Sequence, residues 1–209
     1  MKKRGHLIIF VKEPRVGKVK TRLADDIGPI NATFWYRRQL NHLLNNFKPS
    51  SPYAKHLFVT PHRGLKYFRP YTRQGWRLCC QSPGDLGKKM TSAFLSVGHG
   101  PKLLIGSDIP SVSRQHIRLA FKQLNSVDAI FGPAQDGGYW LIGLNSFVVP
   151  PNLKHVRWSS KWALSDTLSK FGPKLSVKII QTLKDVDRGS DLKTISAWIY
   201  VFKICSHKK

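Results

Sequence analysis

The chain has 209 residues, 41% of them hydrophobic, so it can bury one sizeable core and we expect a single domain over residues 1–209. Its 35 lysine and arginine residues outnumber 11 aspartate and glutamate residues, for a formal charge of +24. Such a charge favours polyanionic partners: nucleotides, nucleic acid or anionic lipid. No apolar stretch approaches the roughly 20 residues that span a bilayer, so we expect no transmembrane segment.

Cysteine usage and the first residues bear on the cellular compartment. Cys79, Cys80 and Cys205 are odd in number and contain no Cys-x-x-Cys pair, so they indicate neither a disulfide framework nor a zinc site. The apolar run at residues 7–11 is too short for the hydrophobic region of a secretory signal. We therefore expect a protein of the reducing cytoplasm.

Short apolar runs alternate with longer stretches of helical spacing. Strands are predicted at residues 7–11, 56–60, 77–81, 102–106, 128–131, 139–144 and 177–180. Helices are predicted at residues 31–47, 86–97, 114–124 and 160–171, and from 190 or 191 to about 204. Ser113 is expected to cap the third of these helices, because its hydroxyl can accept from unpaired N–H groups. The alternation predicts an α/β fold with a mainly parallel sheet covered by helices on both faces.

Four loops with unusual composition each follow a predicted strand. They comprise residues 12–22, 81–87, 106–110 and 132–138. In open α/β sheets, ligands bind beyond the carboxyl ends of the strands. We therefore expect these four loops to converge at one edge of the sheet and form the functional site.

The first of these loops is strongly basic. It contains five lysine and arginine residues, one glycine and one threonine between a strand and an expected helix. Backbone N–H groups and basic side chains in such a setting bind phosphates. The Gly-x-x-x-x-Gly-Lys-Ser/Thr pattern of a P-loop is absent. A solvated basic loop is the alternative interpretation.

Acidic residues are scarce, and several of them follow strands. Asp108 precedes Ile109-Pro110, and a carboxylate there suits Mg²⁺, which shares its coordination sites with waters and substrate phosphates. Asp136-Gly137-Gly138 would let a ligand approach the backbone, although it equally suits a tight hairpin. Asp185-Val186-Asp187 offers further carboxylates, and Asp191 suits a helix cap.

Five ordered motifs together resemble the DUF2064 family over residues 10 to about 192. They are Phe10-x-Lys12-x-Pro14-x-x-Gly17-x-x-Lys20-Thr21-Arg22-Leu23, Gly84-Asp85-Leu86-Gly87, Gly106-Ser107-Asp108-Ile109-Pro110, Gly132-Pro133-Ala134-x-Asp136-Gly137-Gly138-Tyr139 and Asp185-Val186-Asp187. The family is described as glycosyltransferases, or as transferases associated with radical-SAM and selenoprotein genes. The resemblance implies a GT-A-like, Rossmann-like fold of the nucleotide-diphospho-sugar transferases, related to the phospholactate and molybdenum-cofactor guanylyltransferases.

The resemblance also implies roles for individual residues. Lys12, Gly17, Lys20 and Arg22 would contact nucleotide phosphates. Mg²⁺ or Mn²⁺ would bind Asp108, with Asp187 as a second ligand and Asp185 as its rival. Independently of the resemblance, Asp136 would orient or deprotonate an acceptor hydroxyl in a transfer reaction.

Three functions are compatible with these features. The favoured one is a metal-dependent transferase that moves a sugar from a nucleotide-sugar to an acceptor that the sequence does not identify. The alternative is a nucleotidyltransferase, in which an acceptor phosphate attacks an NTP and pyrophosphate leaves. The third is a non-catalytic basic protein that binds nucleic acid or a membrane surface, for which the apolar and basic segment at residues 195–209 would lie on anionic lipid.

Overall fold

The computed structural model describes residues 5–47 and 50–193. Its strands are β1 (His6–Lys12), β2 (Ala54–Thr60), β3 (Trp76–Cys80), β4 (Lys102–Ile105), β5 (Ala129–Pro133), β6 (Tyr139–Leu144) and β7 (Val177–Ile179). Its α-helices are α1 (Thr21–Ile27), α2 (Pro29–Asn45), α3 (Leu65–Phe68), α4 (Leu86–Ser96), α5 (Arg114–Gln123), α6 (Ala163–Ser169) and α7 (Gly189–Lys193). Short 3₁₀ helices occupy His62–Gly64 and Arg69–Gln74.

The described strands form one sheet in the order β3-β2-β1-β4-β6-β5-β7. Six strands run in the same direction, and β6 runs antiparallel to its neighbours β4 and β5. The predicted mainly parallel sheet is therefore confirmed. All seven predicted strands are present, and their bounds differ from the predicted ones by at most two residues.

Each face of the sheet carries its own apolar core. In β1, Leu7, Ile9 and Val11 pack with the side chains of α1, α2 and α5. Ile8 points to the opposite face, where it packs in the core that includes residues of α4 and α6. Because successive side chains of a strand point to opposite faces, a continuous apolar run can serve both cores. The covering of both faces by helices is confirmed.

The helix ends show how local side chains set the boundaries. Ser113 caps α5 as predicted, since its hydroxyl accepts from the backbone N–H of His116 while the imidazole of His116 reaches the N–H of Ser113. The helix predicted at residues 160–171 begins only at Ala163, because the Ser160 hydroxyl accepts from the N–H of Trp162 in a local turn. Such turns compete with helix at Ser residues.

The last described helix, α7, starts at Gly189, and one of its own residues caps its N-terminal end. Asp191, its third residue, accepts from the backbone N–H groups of Asp187 and Arg188 at 3.0 and 2.8 Å. The predicted capping role of Asp191 is confirmed, although the helix begins before it. The predicted continuation to residue 204 and the segment 195–209 lie outside the described residues.

Two further expectations concern composition. None of the helices within residues 5–47 and 50–193 is both long and apolar enough to cross a membrane. Cys79 and Cys80 lie side by side on β3 with free thiols, whereas Cys205 lies outside the described residues.

Candidate functional site

A cavity of about 510 Å³ opens where the parallel strands end. Each of the four predicted loops contributes to its wall: Lys12 and residues 18–22 from the first, Leu86 from the second, residues 107–109 from the third, and the Ala134–Gly138 turn from the fourth. The segment with Asp185 and Asp187, which follows β7, completes the acidic side. The predicted convergence of the loops is therefore confirmed.

Most of the predicted site residues meet in this cavity. Those that line it are Lys12, Lys20, Arg22, Asp108, Asp136 and Asp187. Gly17 does not line it, and instead adopts φ +71° in the turn where the N–H of Lys18 donates to the carbonyl of Arg15. A positive φ favours glycine because it has no Cβ. Gly17 therefore shapes the first loop, and its contact with a phosphate stays a prediction.

Lys20 lies at the centre of the cavity's electrostatics. Its ammonium Nζ is 2.7 Å from Asp108 Oδ2 and 3.5 Å from Asp187 Oδ1, and only 8% of its side chain is exposed. Burial by itself would lower the pKa of Lys20, but the charge and hydrogen bond of Asp108, with the charges of Asp187 and Asp185, raise it overall. Lys20 is therefore a permanent cation in this site.

The backbone of Lys20 is unusual as well. It adopts the left-handed conformation, φ 47° and ψ 52°, immediately before α1 begins at Thr21. Non-glycine residues rarely occupy this region, and the strain is commonly found at functional sites. This conformation brings the Lys20 ammonium onto Asp108 and turns the chain into α1.

Asp187 is shared between two cations. Arg22 Nη1 donates to Asp187 Oδ2 at 2.6 Å, and about half of the arginine side chain is exposed. Asp187 Oδ1 faces Lys20. The predicted phosphate contacts Lys20 and Arg22 are thus both paired with carboxylates in this structure.

Main-chain and tyrosine contacts fix the positions of these loops. The N–H of Val186 donates to the carbonyl of Asp108 at 3.2 Å, which ties the Asp185–Asp187 segment to the loop after β4. Tyr36 of α2 joins the first and third loops, because its hydroxyl lies 3.0 Å from Ser107 Oγ and accepts from the N–H of Lys12 at 3.1 Å. Burial raises the pKa of Tyr36, which remains a neutral phenol.

Asp185 is a carboxylate that the sequence left as a rival to Asp187. Burial, followed by the charges of Asp136 and Asp108, raises the pKa of Asp185 to about 6, against the opposing effect of Lys20. Besides its burial, Asp185 therefore experiences electrostatic repulsion from Asp136 and Asp108. An additional cation in the cavity would relieve it.

The arrangement of the cavity's aspartates determines whether they can hold a divalent metal. No group of three His, Cys, Asp or Glu side chains within the described residues is arranged to hold a metal by itself. Mg²⁺, however, commonly takes only one or two protein carboxylates, and fills its other positions with waters and substrate phosphates. Asp108 and Asp187 already share one cation, the Lys20 ammonium. This pair of carboxylates therefore fits such a metal.

Asp136 lies at the tip of a tight hairpin between β5 and β6. Its Oδ1 accepts from the N–H of Gly138 at 2.8 Å, and the N–H of Ala134 donates to the carbonyl of Gly138 at 3.0 Å. The hairpin alternative is therefore confirmed. Gly137 does permit a close backbone approach, because a Cβ there would lie 2.3 Å from the carbonyl oxygen of Lys161. The group that approaches the Gly137 backbone is therefore the Lys161 main chain of this protein and not a ligand.

The second motif acts through packing. The Asp85 carboxylate caps α4 by accepting from the N–H of Lys88 at 2.8 Å. A Cβ at Gly87 would lie 2.9 Å from Leu153 Cβ and 3.0 Å from Trp158 Cζ2. Glycine at this position of α4 therefore allows the segment that contains Leu153 and Trp158 to pack closely against the helix. Trp158 packs against the second core and also lines the cavity.

Two tyrosines that line the cavity had no individual role predicted from the sequence. Tyr36 belongs to an amphipathic helix, where an aromatic residue usually indicates core packing. Tyr139 lies at the start of β6, where its hydroxyl contacts Met90 Sδ at 3.6 Å and burial raises its pKa. Their positions depend on how the helices pack against the sheet.

Comparison with known proteins agrees with this architecture. The model of the DUF2064 family, described as an uncharacterized protein conserved in bacteria, matches residues 43–160. This span includes Asp108 and Asp136, and it leaves the first loop and the Asp185–Asp187 segment outside. No curated protein matches the chain significantly.

Solved structures extend the similarity to nearly the whole chain. A protein from Desulfovibrio desulfuricans G20, provisionally assigned as a nucleotide-diphospho-sugar transferase, is 30% identical, with a TM-score of 0.80 over 88% of this chain and 82% of that one. The 4-diphosphocytidyl-2C-methyl-D-erythritol synthase of Anaerococcus prevotii DSM 20548 is 9% identical, with a TM-score of 0.65 over 95% of this chain and 96% of that one.

A CMP:2-keto-3-deoxy-manno-octonic acid synthetase complexed with CTP is 8% identical, with a TM-score of 0.59 over 95% of this chain and 99% of that one. At such low identity the last two structures show the fold alone. That fold is the one shared by nucleotidyltransferases and GT-A-like nucleotide-sugar transferases, as predicted.

Proposed function

This chain belongs to the DUF2064 family, and from that premise we propose that it is a transferase that uses an activated nucleotide, with a nucleotide-sugar as the donor. The observation that carries the proposal is the meeting of a basic loop with several aspartates in one cavity at the carboxyl ends of the strands. Basic groups and carboxylates together are what a nucleotide diphosphate and its metal require.

The donor's phosphates would bind on the basic side of the cavity. Lys12, Lys20 and Arg22 line it, and Lys18 adds a further ammonium from the same loop. These groups would hold the diphosphate in a fixed position and stabilise the charge that develops on it when the bond to the sugar breaks. Catalysis would then come mainly from positioning and electrostatic stabilisation.

The acidic side would hold the metal and the acceptor. Mg²⁺ or Mn²⁺ on Asp108, with Asp187 or Asp185 as a second ligand, would neutralise the departing diphosphate. Asp136 projects from the hairpin into the same cavity with its carboxylate anchored on Gly138. From there it would orient an acceptor hydroxyl or take its proton.

The nucleotidyltransferase alternative uses the same groups. Its support is the fold shared with the 4-diphosphocytidyl-2C-methyl-D-erythritol synthase and the CTP-bound synthetase, whereas the provisional assignment of the 30% identical relative supports sugar transfer. In nucleotidyl transfer, Lys20 and Arg22 would hold the departing pyrophosphate. We favour sugar transfer because the more similar relative carries that assignment.

Product analysis would distinguish the two reactions. The protein is incubated with radiolabelled NDP-sugars or NTPs, in Mg²⁺ or Mn²⁺ and with a mixture of sugar and sugar-phosphate acceptors. Metal-dependent release of NDP, lost in Asp108→Asn, is the expected result. Release of pyrophosphate from an NTP would establish the alternative, and neither product in either metal would contradict both.

A further inference from the structure

The Lys20 ammonium lies where two of the cavity's carboxylates face each other, 2.7 Å from Asp108 and 3.5 Å from Asp187. We infer that Lys20 is a built-in counter-ion: it holds these carboxylates together when no metal is bound, competes with the metal for them, and passes to the nucleotide phosphates when the metal binds. This inference rests on the proposed function for the identity of the metal ligands.

The contact of the Lys20 ammonium with the two carboxylates requires two unfavourable features of Lys20. Lys20 holds a strained left-handed backbone, and nearly all of its side chain is buried. Both burial of an ammonium and left-handed strain are unfavourable unless something offsets them. The ion pairs with Asp108 and Asp187 provide that compensation, and the ring of Trp35, whose centroid is 6.0 Å from Nζ, flanks the ammonium.

A metal on the same carboxylates cannot coexist with Lys20 in this position. Two cations a few ångströms apart repel strongly, and the repulsion is larger in a partly buried site than in water. The ammonium must therefore move when a divalent ion arrives. Lys20 lies on the same loop as Lys12 and Arg22, which also line the cavity. Phosphates bound by these residues would therefore form an ion pair with the displaced Lys20 ammonium.

The consequence is a coupling between two ligands. Without phosphate, metal binding must displace Lys20 from Asp108 and leave it unpaired, so metal binds weakly. A bound phosphate that pairs with the displaced Lys20 ammonium removes the cost of leaving that ammonium unpaired, so phosphate strengthens metal binding. By linkage, the metal strengthens phosphate binding by the same factor. The enzyme would thus collect metal and nucleotide together.

The test measures binding of two simple probes to the full-length protein. Mn²⁺ affinity is determined without nucleotide by electron paramagnetic resonance, and pyrophosphate affinity is determined in EDTA by calorimetry. We expect Lys20→Met to bind Mn²⁺ at least about tenfold more tightly than wild type, and pyrophosphate at least about tenfold more weakly, within the usual range of coupling. A merely structural loss would weaken both.

Controls separate this effect from general electrostatics and from misfolding. Arg15→Met removes one positive charge from an exposed residue of the same loop that does not line the cavity, and should change each affinity less than threefold. Lys20→Asn is a second variant, since asparagine tolerates the left-handed conformation. Asp108→Asn should abolish Mn²⁺ binding in every background.

Each outcome decides between the possibilities. Mn²⁺ binding in the Lys20 variants that is no tighter than in Arg15→Met overturns the counter-ion role, as does an unchanged affinity for pyrophosphate. If wild type and all variants bind Mn²⁺ equally and Asp108→Asn does not, the metal site stands and only this inference fails. If none binds Mn²⁺, the metal site fails with it.

Discussion

At the scale of single residues, a substitution of Asp136 can distinguish the chemical role of its carboxylate from its hydrogen bond in the hairpin. Its carboxylate accepts from the N–H of Gly138 at 2.8 Å, and an asparagine carbonyl oxygen can accept the same bond without being able to take a proton. We expect Asp136→Asn to keep the wild-type Tm, to lower kcat by about 100-fold, and to leave the KM for the donor nearly unchanged.

Steady-state kinetics with the donor that the product analysis identifies would check this prediction. Asp25→Asn, which removes one exposed carboxylate from α1, is the matched control and should behave as wild type. An Asp136→Asn enzyme with wild-type kcat would assign Asp136 to the hairpin alone.

The sequence predicted part of the residue-scale picture. Asp108, Asp136 and Lys20 could be assigned to one site because each lies in a loop after a strand, and parallel strands end at one edge. The pairing of Lys20 with Asp108, and the contact of Tyr36 with Ser107, could not be predicted. They depend on side-chain directions that are set only when α2 and the first loop pack.

At the scale of elements, Gly137 controls how the β5–β6 hairpin meets the segment before α6. It has φ +86°, and a Cβ would lie 2.3 Å from the Lys161 carbonyl oxygen. We expect Gly137→Ala to lower the free energy of unfolding by at least about 2 kcal/mol, from strain together with the backbone clash.

Urea denaturation monitored by circular dichroism would measure this effect. Gly172→Ala is the control, because Gly172 also has a positive φ, +65°, but a Cβ there would meet no atom within 4 Å. It should cost only about 1 kcal/mol. If the two variants lose the same free energy of unfolding, the clash with Lys161 does not contribute to the destabilisation.

The pairing of β1 with β2 contains a pH-sensitive contact. His6 Nδ1 lies 3.1 Å from His56 Nε2, and His6 Nε2 lies 3.1 Å from the His99 carbonyl oxygen. Burial, then the charge of His6, then that of Arg77, lowers the pKa of His56 from 6.5 to about 4. His56 is therefore neutral in the folded protein at pH 5, whereas it is mostly protonated when unfolded.

The sign of the effect follows from this difference. Between pH 6.5 and 4 the unfolded state binds more protons, so the stability from neutral His56 is complete above about pH 6.5 and falls as the pH approaches 4. We expect this residue to account for a loss of about 2 kcal/mol, seen as a shallower pH dependence of the unfolding free energy in His56→Leu than in wild type. His99→Gln should keep the wild-type slope, and identical slopes in all three proteins would contradict the prediction.

The fold was largely predictable at this scale, and its exceptions have local causes. The apolar runs identified every strand, and the inner strands β1, β2, β4, β5 and β6 are largely buried between the helices. The antiparallel direction of β6 was open, since the turn at Gly137-Gly138 suited both a ligand loop and a hairpin. The late start of α6 depends on a hydrogen bond of Ser160 to the backbone, which hydrophobic periodicity does not reveal.

At the scale of the whole molecule, the charge of +24 acts independently of the cavity. Polyanions bind such surfaces through counter-ion release, without sequence preference and with strong dependence on salt. We expect any binding of single-stranded DNA to weaken at least about 100-fold between roughly 50 and 200 mM salt, and to be unchanged in Asp108→Asn.

Fluorescence anisotropy with a labelled oligonucleotide would measure both effects. Nucleotide binding in the cavity should show the opposite pattern: a modest dependence on salt and a marked loss in Asp108→Asn. DNA binding that resists salt and disappears in Asp108→Asn would instead indicate that the cavity itself recognises nucleic acid.

The reversed strand β6 also sets a dimension of the molecule. It lies between β4 and β5, so Ile142 is paired with Leu104 on one side and Phe131 on the other. Neighbouring strands are 4.7–4.9 Å apart, and the loops with Asp108 and Asp136 therefore leave the sheet about 10 Å from each other. That gap is fixed by backbone hydrogen bonds. Mutation of side chains can therefore change what the two aspartates contact, but it leaves the separation of their loops unchanged.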